Sequence, residues 1–284
     1  MTGTAADLPF PPRSCLPNPM PFPRPSWQPP QSRQRREHGD LGQQMTVFCD
    51  FDGPIVDVSD RYYSTYRLAL ADTQASYHDL DVSLPIGVLS KQQFWQMKQD
   101  RVPDVEIAMR SGLQGEQIDL FLGQVRDLVN QPALLQKDKI QPGVSWALAL
   151  LHSQGVRLVL VTLRCQSQAT QILRNYGLAR LFSGIYGSEV ADAAYQNYAE
   201  AKTELLAKAI AEQLLPGSHP ESAWMVGDTE ADILAGRQWG IPTIALTCGI
   251  RSSYSLKKFQ PTTLGDDLLS AAHYLLGMTH LVRA

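Results

Sequence analysis

Two stretches of this 284-residue chain end apolar runs in carboxylates. The first is Val47-Phe48-Cys49-Asp50-Phe51-Asp52-Gly53-Pro54. Residues two apart on a strand share a side, so Asp50 and Asp52 can face one pocket. The second is Ala223-Trp224-Met225-Val226-Gly227-Asp228-Thr229-Glu230-Ala231-Asp232, with Asp228 and Asp232 one helical turn apart. Local structure accounts for each stretch separately. Asp-Gly-Pro is turn chemistry; Asp228 or Thr229 can cap a helix, and Asp232 suits its positive end. Taken together, the acids raise an electrostatic problem, because carboxylates gathered without a cation repel one another and hold on to protons. A hard divalent ion removes that problem, and magnesium favours one or two carboxylates plus water and phosphate oxygens. Between the two stretches, Leu158-Val159-Leu160-Val161-Thr162-Leu163-Arg164 offers a hydroxyl at Thr162 and a backbone N–H at Leu163 that could hold a phosphate oxygen. Lys202 is a weaker signal, since a lysine on an amphipathic helix is usually solvated and Lys208 competes with it.

The elements that must position these groups alternate. Strands are expected at 46–50, 157–162, 184–188, 223–227 and 242–247, mostly as continuous apolar runs suited to burial on both faces. Helices are expected at 144–154, 166–176, 199–213 and 230–239, three of them stopped by Gly155, Gly177 and Gly240. The repetition of strand, helix and strand argues for a parallel sheet with helices on both faces. Residues 58–141 break the pattern. They show no convincing strand, and helices are expected at 61–72, 91–99, 104–111 and 116–130, interrupted by Pro85, Pro103 and Pro132. This reads as a helical insertion between the first two strands.

Composition narrows the function classes. A net charge of −3 gives no global reason to expect nucleic acid or an anionic membrane as partner. No apolar run approaches the roughly 18–20 residues of a membrane helix. Cys15, Cys49, Cys165 and Cys248 form no CxxC pair, and the six histidines are scattered, so metal chemistry would use oxygen ligands. Thiols without a disulfide framework suit a reducing compartment, and a cytoplasmic location is expected. Residues 1–44 hold ten of the 19 prolines and five arginines with no lysine. They are expected to be a disordered leader, with translation starting at Met45 as the other explanation. Oligomeric state is not readable from these features.

The four segments, in this order, resemble the haloacid dehalogenase-like hydrolase superfamily, and within it the phosphoglycolate phosphatase-like branch. The motifs are Asp50-x-Asp52-Gly53, Thr162, Lys202 and Gly227-Asp228-x-x-x-Asp232, spread over about residues 45–250. Pro142-Gly143-Val144 also matches the family pattern. The resemblance implies a Rossmann-like α/β core, residues 45–57 and 142–284, with strand order 3-2-1-4-5, and a small helical cap domain at 58–141. It implies a magnesium-dependent phosphatase acting on a small phosphorylated metabolite, phosphoglycolate-like or a sugar phosphate. Asp50 would be the nucleophile that forms an aspartyl-phosphate, and Asp52 the general acid and base. The Asp50 carboxylate, the Asp52 backbone carbonyl and Asp228 would bind magnesium, with Asp232 as ligand or support. Thr162, Leu163 and Lys202 would hold phosphoryl oxygens.

Two departures from the family pattern stand out. Pro54 occupies a position where the family has threonine, which removes a backbone donor. Thr203, not proline, follows Lys202. A phosphomutase would share every motif, and a non-catalytic protein binding a phosphorylated metabolite is the reading from a different class. A phosphonatase would need a cap lysine, and nothing singles out Lys91 or Lys98. Arg164 is the candidate for a second anionic group on the substrate. Tyr62, Tyr66, Lys98, Arg101 and Arg110 are substrate candidates by charge or aromaticity alone.

Overall fold

The computed structural model describes residues 45–189, 193–214 and 222–277; the expectations for residues 1–44 and Cys15 lie outside them. Strands β1 (Thr46–Cys49) and β2 (Val56–Asp57) open the chain. Helices α1 (Ser59–His78), α2 (Lys91–Gln99), α3 (Asp104–Arg110), α4 (Glu116–Leu128) and α5 (Pro132–Leu135) follow, and β3 (Lys139–Ile140) closes the insertion. The alternating part is α6 (Val144–Ser153), β4 (Arg157–Cys165), α7 (Gln166–Asn175), β5 (Phe182–Ser188), α8 (Ala193–Gln196), α9 (Ala199–Gln213) and β6 (Ala223–Gly227). It ends with α10 (Glu230–Gln238), β7 (Thr243–Leu246), α11 (Ser253–Lys257), β8 (Thr263–Gly265) and α12 (Leu268–Leu275).

Six strands form one parallel sheet in the order β5-β4-β1-β6-β7-β8. The five expected strands take the expected 3-2-1-4-5 arrangement, and the three-residue β8 extends it at the β7 edge. So short an element has no readable periodicity. β1 lies centrally, with Cys49 level with Leu160 of β4 and Val226 of β6. The register therefore brings the segments that carry Asp50, Thr162 and Asp228 to the same end of three adjacent strands.

Burial follows the two-residue period of the pleat. Val47 and Cys49, Leu158 and Leu160, and Trp224 and Val226 belong to one core that also takes in α6, α12 and the insertion. Phe48, Val159, Val161, Ala223 and Met225 face the other core, beside Leu206 and Ala209 of α9 and Ala235 of α10. The strands read as unbroken apolar runs because both faces are covered. Gly155, Gly177 and Gly240 take left-handed φ of 73°, 69° and 66° where helices stop.

The insertion departs from its sequence reading in three places. First, Lys139–Ile140 is a strand: it pairs antiparallel with Val56–Asp57, so both crossings into the insertion form one two-stranded ribbon. Two residues are too few to show alternation. Second, α1 is longer at both ends than the expected 61–72. The Asp57 carboxylate accepts the Ser59 N–H at 2.8 Å and starts the helix early, and no proline or glycine stops it before Asp79. Third, Pro132 begins a short helix, at the first-turn position where the missing N–H costs nothing. An aromatic cluster fills the insertion, with Tyr66 stacked on Phe94 and edge-on to Phe121. Among the described residues no helix is long and apolar enough to cross a membrane.

Leu148 of α6 has 0% exposure and sits in the core beneath the sheet, on a helix that packs against α12 and β4. Leu148→Ala should lower the unfolding free energy by about 2–5 kcal/mol, with the urea midpoint falling accordingly; an unchanged midpoint would contradict this packing.

Candidate active site

Asp50 is the first residue beyond β1, and its N–H donates to the Val226 carbonyl at 2.8 Å, continuing the sheet ladder toward β6. Phe51 to Val56 then turn back tightly. The Gly53 N–H donates to the Val56 carbonyl (2.8 Å), and the Ile55 and Val56 N–H groups donate to the Phe51 carbonyl (3.1 and 3.0 Å). The turn asks no donor of residue 54, so Pro54 fits without a lost bond. Gly53 has φ of 101°, a left-handed conformation that side chains resist. A Cβ there would also meet the Asp228 carboxyl carbon at 2.2 Å.

One carboxylate oxygen each from Asp50, Asp228 and Asp232 falls within 4.8 Å of the others, and all three residues are buried. Lys202, from α9, reaches into this group. Its Nζ lies 2.6 Å from Asp50 Oδ1 and 2.8 Å from Asp232 Oδ1. Lys208 is exposed. Three acids against one lysine leave two unbalanced negative charges, and this excess matches a divalent cation. Asp228 Oδ1 is buried and has no hydrogen-bond partner among the described residues, while its Oδ2 accepts the Ile250 N–H. A metal would satisfy an oxygen otherwise left at a cost. The donor set, all hard oxygen, suits magnesium. Asp232 also has a local role. Its Oδ2 accepts the Thr229 N–H (3.1 Å) and hydroxyl (2.8 Å) at the start of α10.

Burial is the first cause of the shifted acidities. It pushes the Asp50 carboxyl up to about 7, with Lys202 opposing the shift and Asp232 adding to it. Asp228 is driven well above its ordinary range by burial, then by the charges of Asp50 and Asp232. For Lys202, burial works against the ammonium, but Asp232 and Asp50 outweigh it and raise its pKa.

The Asp52 carboxylate stands apart from the three acids. It belongs to a second buried cluster with Arg164, Arg61 and Asp138. Arg164 Nη2 lies 2.7 Å from both Asp52 Oδ1 and Asp138 Oδ2. Arg61 Nε is 2.9 Å from Asp138 Oδ1, and its Nη2 is 3.4 Å from Asp52 Oδ2. Arg164 is thus enclosed between two acids. Thr162 is buried inside β4, which runs three residues past it to Cys165, and its Oγ1 accepts the Arg164 N–H at 3.1 Å.

Sequence reasoning missed Arg61, Asp138 and the Gly249-Ile250 backbone. Arg61 and Asp138 lie near opposite ends of the insertion, 77 residues apart, and only the ribbon of β2 and β3 brings them together. A Cβ at Gly249 would sit 2.0 Å from Asp228 Oδ2, so the backbone needs glycine to approach the acid. Of the other substrate candidates, Tyr66 is occupied inside the insertion, sharing a 2.8 Å hydrogen bond with the Ser111 hydroxyl. Arg110 is an exposed partner of Glu106. Lys98 pairs with Asp104 at 2.9 Å and lies over the Tyr195 ring, and Arg101 pairs with Glu230 at 3.0 Å. Tyr62 lies beside the second cluster, with the Arg61 guanidinium 4.9 Å from its ring centre.

Comparison with known proteins places the chain in a hydrolase family. The family model described as haloacid dehalogenase-like hydrolase matches residues 47–246. A protein of Dickeya dadantii named "Probable phosphatase IndB" is 27% identical over 238 residues, 82% of this chain and 95% of that protein. A phosphoglycolate phosphatase of Vibrio cholerae is 29% identical over 134 residues, 45% of this chain and only 54% of that protein. Among solved structures, a haloacid dehalogenase-like hydrolase from Streptococcus pneumoniae superposes with a TM-score of 0.58 at 23% identity, over 81% of this chain and 98% of that one.

Between the ordinary carboxyl value of 3.8 and about 7, the folded chain keeps a proton on Asp50 that the unfolded chain releases. Metal-free protein should therefore lose stability as pH rises through that window. A divalent cation needs deprotonated ligands, so magnesium should raise the melting temperature more at about pH 8 than at about pH 5. At about 100 times its dissociation constant the stabilisation is ~2.7 kcal/mol. Asp228→Asn should abolish the shift; a magnesium response retained by that variant would remove Asp228 from the metal site.

Proposed function

The chain belongs to the haloacid dehalogenase-like hydrolases, and on that premise we propose that it is a phosphoric monoester hydrolase that turns over a small phosphorylated metabolite at Asp50. The observation that carries this reading is the Asp50 carboxylate at the end of the central strand, buried, 2.6 Å from Lys202 and grouped with Asp228 and Asp232. A carboxylate held beside a fixed cation is a nucleophile already aligned with a phosphoryl group. The relatives named as phosphatases support the same reaction class.

In the first step a carboxylate oxygen of Asp50 attacks phosphorus, and the bond from phosphorus to the ester oxygen breaks. Asp52 gives its proton to the departing alcohol, leaving an acyl phosphate on Asp50. In the second step Asp52, now ionised, takes a proton from water as the water oxygen attacks phosphorus. Inorganic phosphate leaves and Asp50 returns to a carboxylate. Lys202, the Thr162 hydroxyl and the Leu163 N–H hold phosphoryl oxygens. Asp50, Asp228, Asp232 and the Asp52 backbone carbonyl are the groups that would hold magnesium, and a bound ion neutralises charge between the anionic nucleophile and the anionic phosphate.

The helices between β2 and β3, with residues 58–141 as their span, act as a cap over a core of residues 45–57 and 142–284. Contacts already bind this cap to the core on the side of Gly249. The Ser252 N–H donates to the Gln99 carbonyl (2.9 Å), and Arg251 Nη1 to the Lys98 carbonyl (3.1 Å). With Asp50, Lys202 and Asp228 all buried, substrate entry requires the cap to move.

Asp50→Asn should reduce phosphate release from p-nitrophenyl phosphate by on the order of 10⁴-fold with the circular dichroism spectrum unchanged; near-normal turnover would refute Asp50 as nucleophile. Dialysis against EDTA should silence the enzyme, and added magnesium should restore it; activity indifferent to chelation would remove the metal from the mechanism.

A further inference from the structure

We propose that Glu230 is a positioning residue that couples closure of the insertion to the metal site. Together with Arg251 and Arg101 it fastens the end of α2 to the backbone segment that lies on Asp228, so that a divalent ion and the closed insertion stabilise each other. The inference rests on the reading above, in which Asp228 holds magnesium and the insertion moves to admit substrate.

Glu230 stands two residues from Asp228 and two from Asp232, in the first turn of α10. Its side chain is 7% exposed and is shared by two arginines. Arg251, from the core, approaches both carboxylate oxygens, with Nε 2.9 Å from Oε2 and Nη2 3.3 Å from Oε1. Arg101, from the insertion, places Nε 3.0 Å from Oε1. A carboxylate so buried requires partners, and opening the insertion takes one of them away.

The segment after Cys248 alternates between the metal site and the insertion. Gly249 passes Asp228 too closely for any side chain, and the Ile250 N–H donates to Asp228 Oδ2. Arg251 Nη1 then donates to the Lys98 carbonyl (3.1 Å), and the Ser252 N–H donates to the Gln99 carbonyl (2.9 Å). Asp228 is thus oriented by a segment whose next contacts are with the end of α2. With the insertion closed, the Ile250 N–H holds the carboxylate in place before an ion arrives. With the ion bound, a fixed carboxylate holds the segment against α2. Coupling of this kind is reciprocal.

The end of α2 carries an independent sign of this contact. The Val102 N–H donates to the Met97 carbonyl (2.9 Å) and the Arg101 N–H to the Lys98 carbonyl (3.1 Å), a helix ending whose left-handed position usually holds glycine. Here that position is Arg101, with φ of 62°. Side chains resist that conformation. Turn chemistry therefore does not account for an arginine there, whereas its contact with Glu230 does.

The test uses the full chain with magnesium alone and two readouts of the seam between α2 and the core. In the wild type, magnesium should slow hydrogen exchange at the Ser252 amide and tryptic cleavage after Lys98 by about tenfold. Arg101→Gly keeps the left-handed turn but removes the insertion's hold on Glu230. It should speed both processes in metal-free protein and weaken magnesium binding about threefold in calorimetric titration. Charge alone predicts the opposite, since deleting a cation favours the binding of another. Glu230→Gln should cut the magnesium effect on the seam to about twofold or less; if this variant does not fold, Arg101→Gly carries the test. A merely structural role for Glu230 in starting α10 would lower the melting temperature equally with and without magnesium, and would leave the seam's response to magnesium intact. A wild type that magnesium stabilises without slowing either seam process, or folded Arg101→Gly protein that binds magnesium as tightly as wild type, overturns the proposal. A wild type whose melting temperature ignores magnesium would instead defeat the metal reading of Asp228 on which it rests.

Discussion

Three buried carboxylates held close together by the fold, with one lysine among them, are the constraint from which the rest of the site follows. Burial, and then the neighbouring acidic charges, push Asp50 and Asp228 toward protonation. The surrounding structure is built to tolerate that arrangement. Lys202 lies between two of the acids, the Ile250 N–H approaches the third, and Asp232 is tied into the start of α10. Glycines at 53 and 249 let backbone pass where a Cβ would collide with Asp228. What remains is an excess of negative charge on one side of the site, and that excess is what a divalent cation would meet.

The other side is balanced. Asp52, two residues from Asp50, is surrounded by its own counter-ions, and those come from both the sheet and the helical insertion. Charge removed from water this thoroughly contributes little net stability, but it tolerates few alternative arrangements. The buried acids thus fall into one group with a single lysine among three carboxylates and another in which each carboxylate has arginine partners.

Much of this was legible in the residues. β1, β4, β6 and β7 appear as apolar runs because each is covered on two faces, and acids at the ends of β1 and β6 mark the same end of a parallel sheet. Lys202 was the hardest of the site residues to separate from surface charge. Helical spacing predicts which face a lysine occupies, but not whether an acid from another strand waits there. The ribbon, β8 and the Arg61–Asp138 pairing left no signal, since two or three residues carry no period and a contact 77 positions apart depends on where both ends of the insertion cross. Arg164 stands out in the sequence for its position after Thr162, but its two acidic partners belong to different segments, and only the folded chain brings them together.

The two-residue ribbon at the root of the insertion sits directly beside the turn that carries Asp52. Beyond β3, the Gln141 N–H donates to the Ile55 carbonyl at 2.9 Å, and its side-chain amide donates to the Gly53 carbonyl at 3.0 Å. Both acceptors belong to the turn that carries Asp52. The turn is thus joined to the insertion by these hydrogen bonds as well as by the shared core, to which Phe51, Ile55 and Val56 belong. The root of the insertion and the turn that carries Asp52 are held by the same hydrogen bonds.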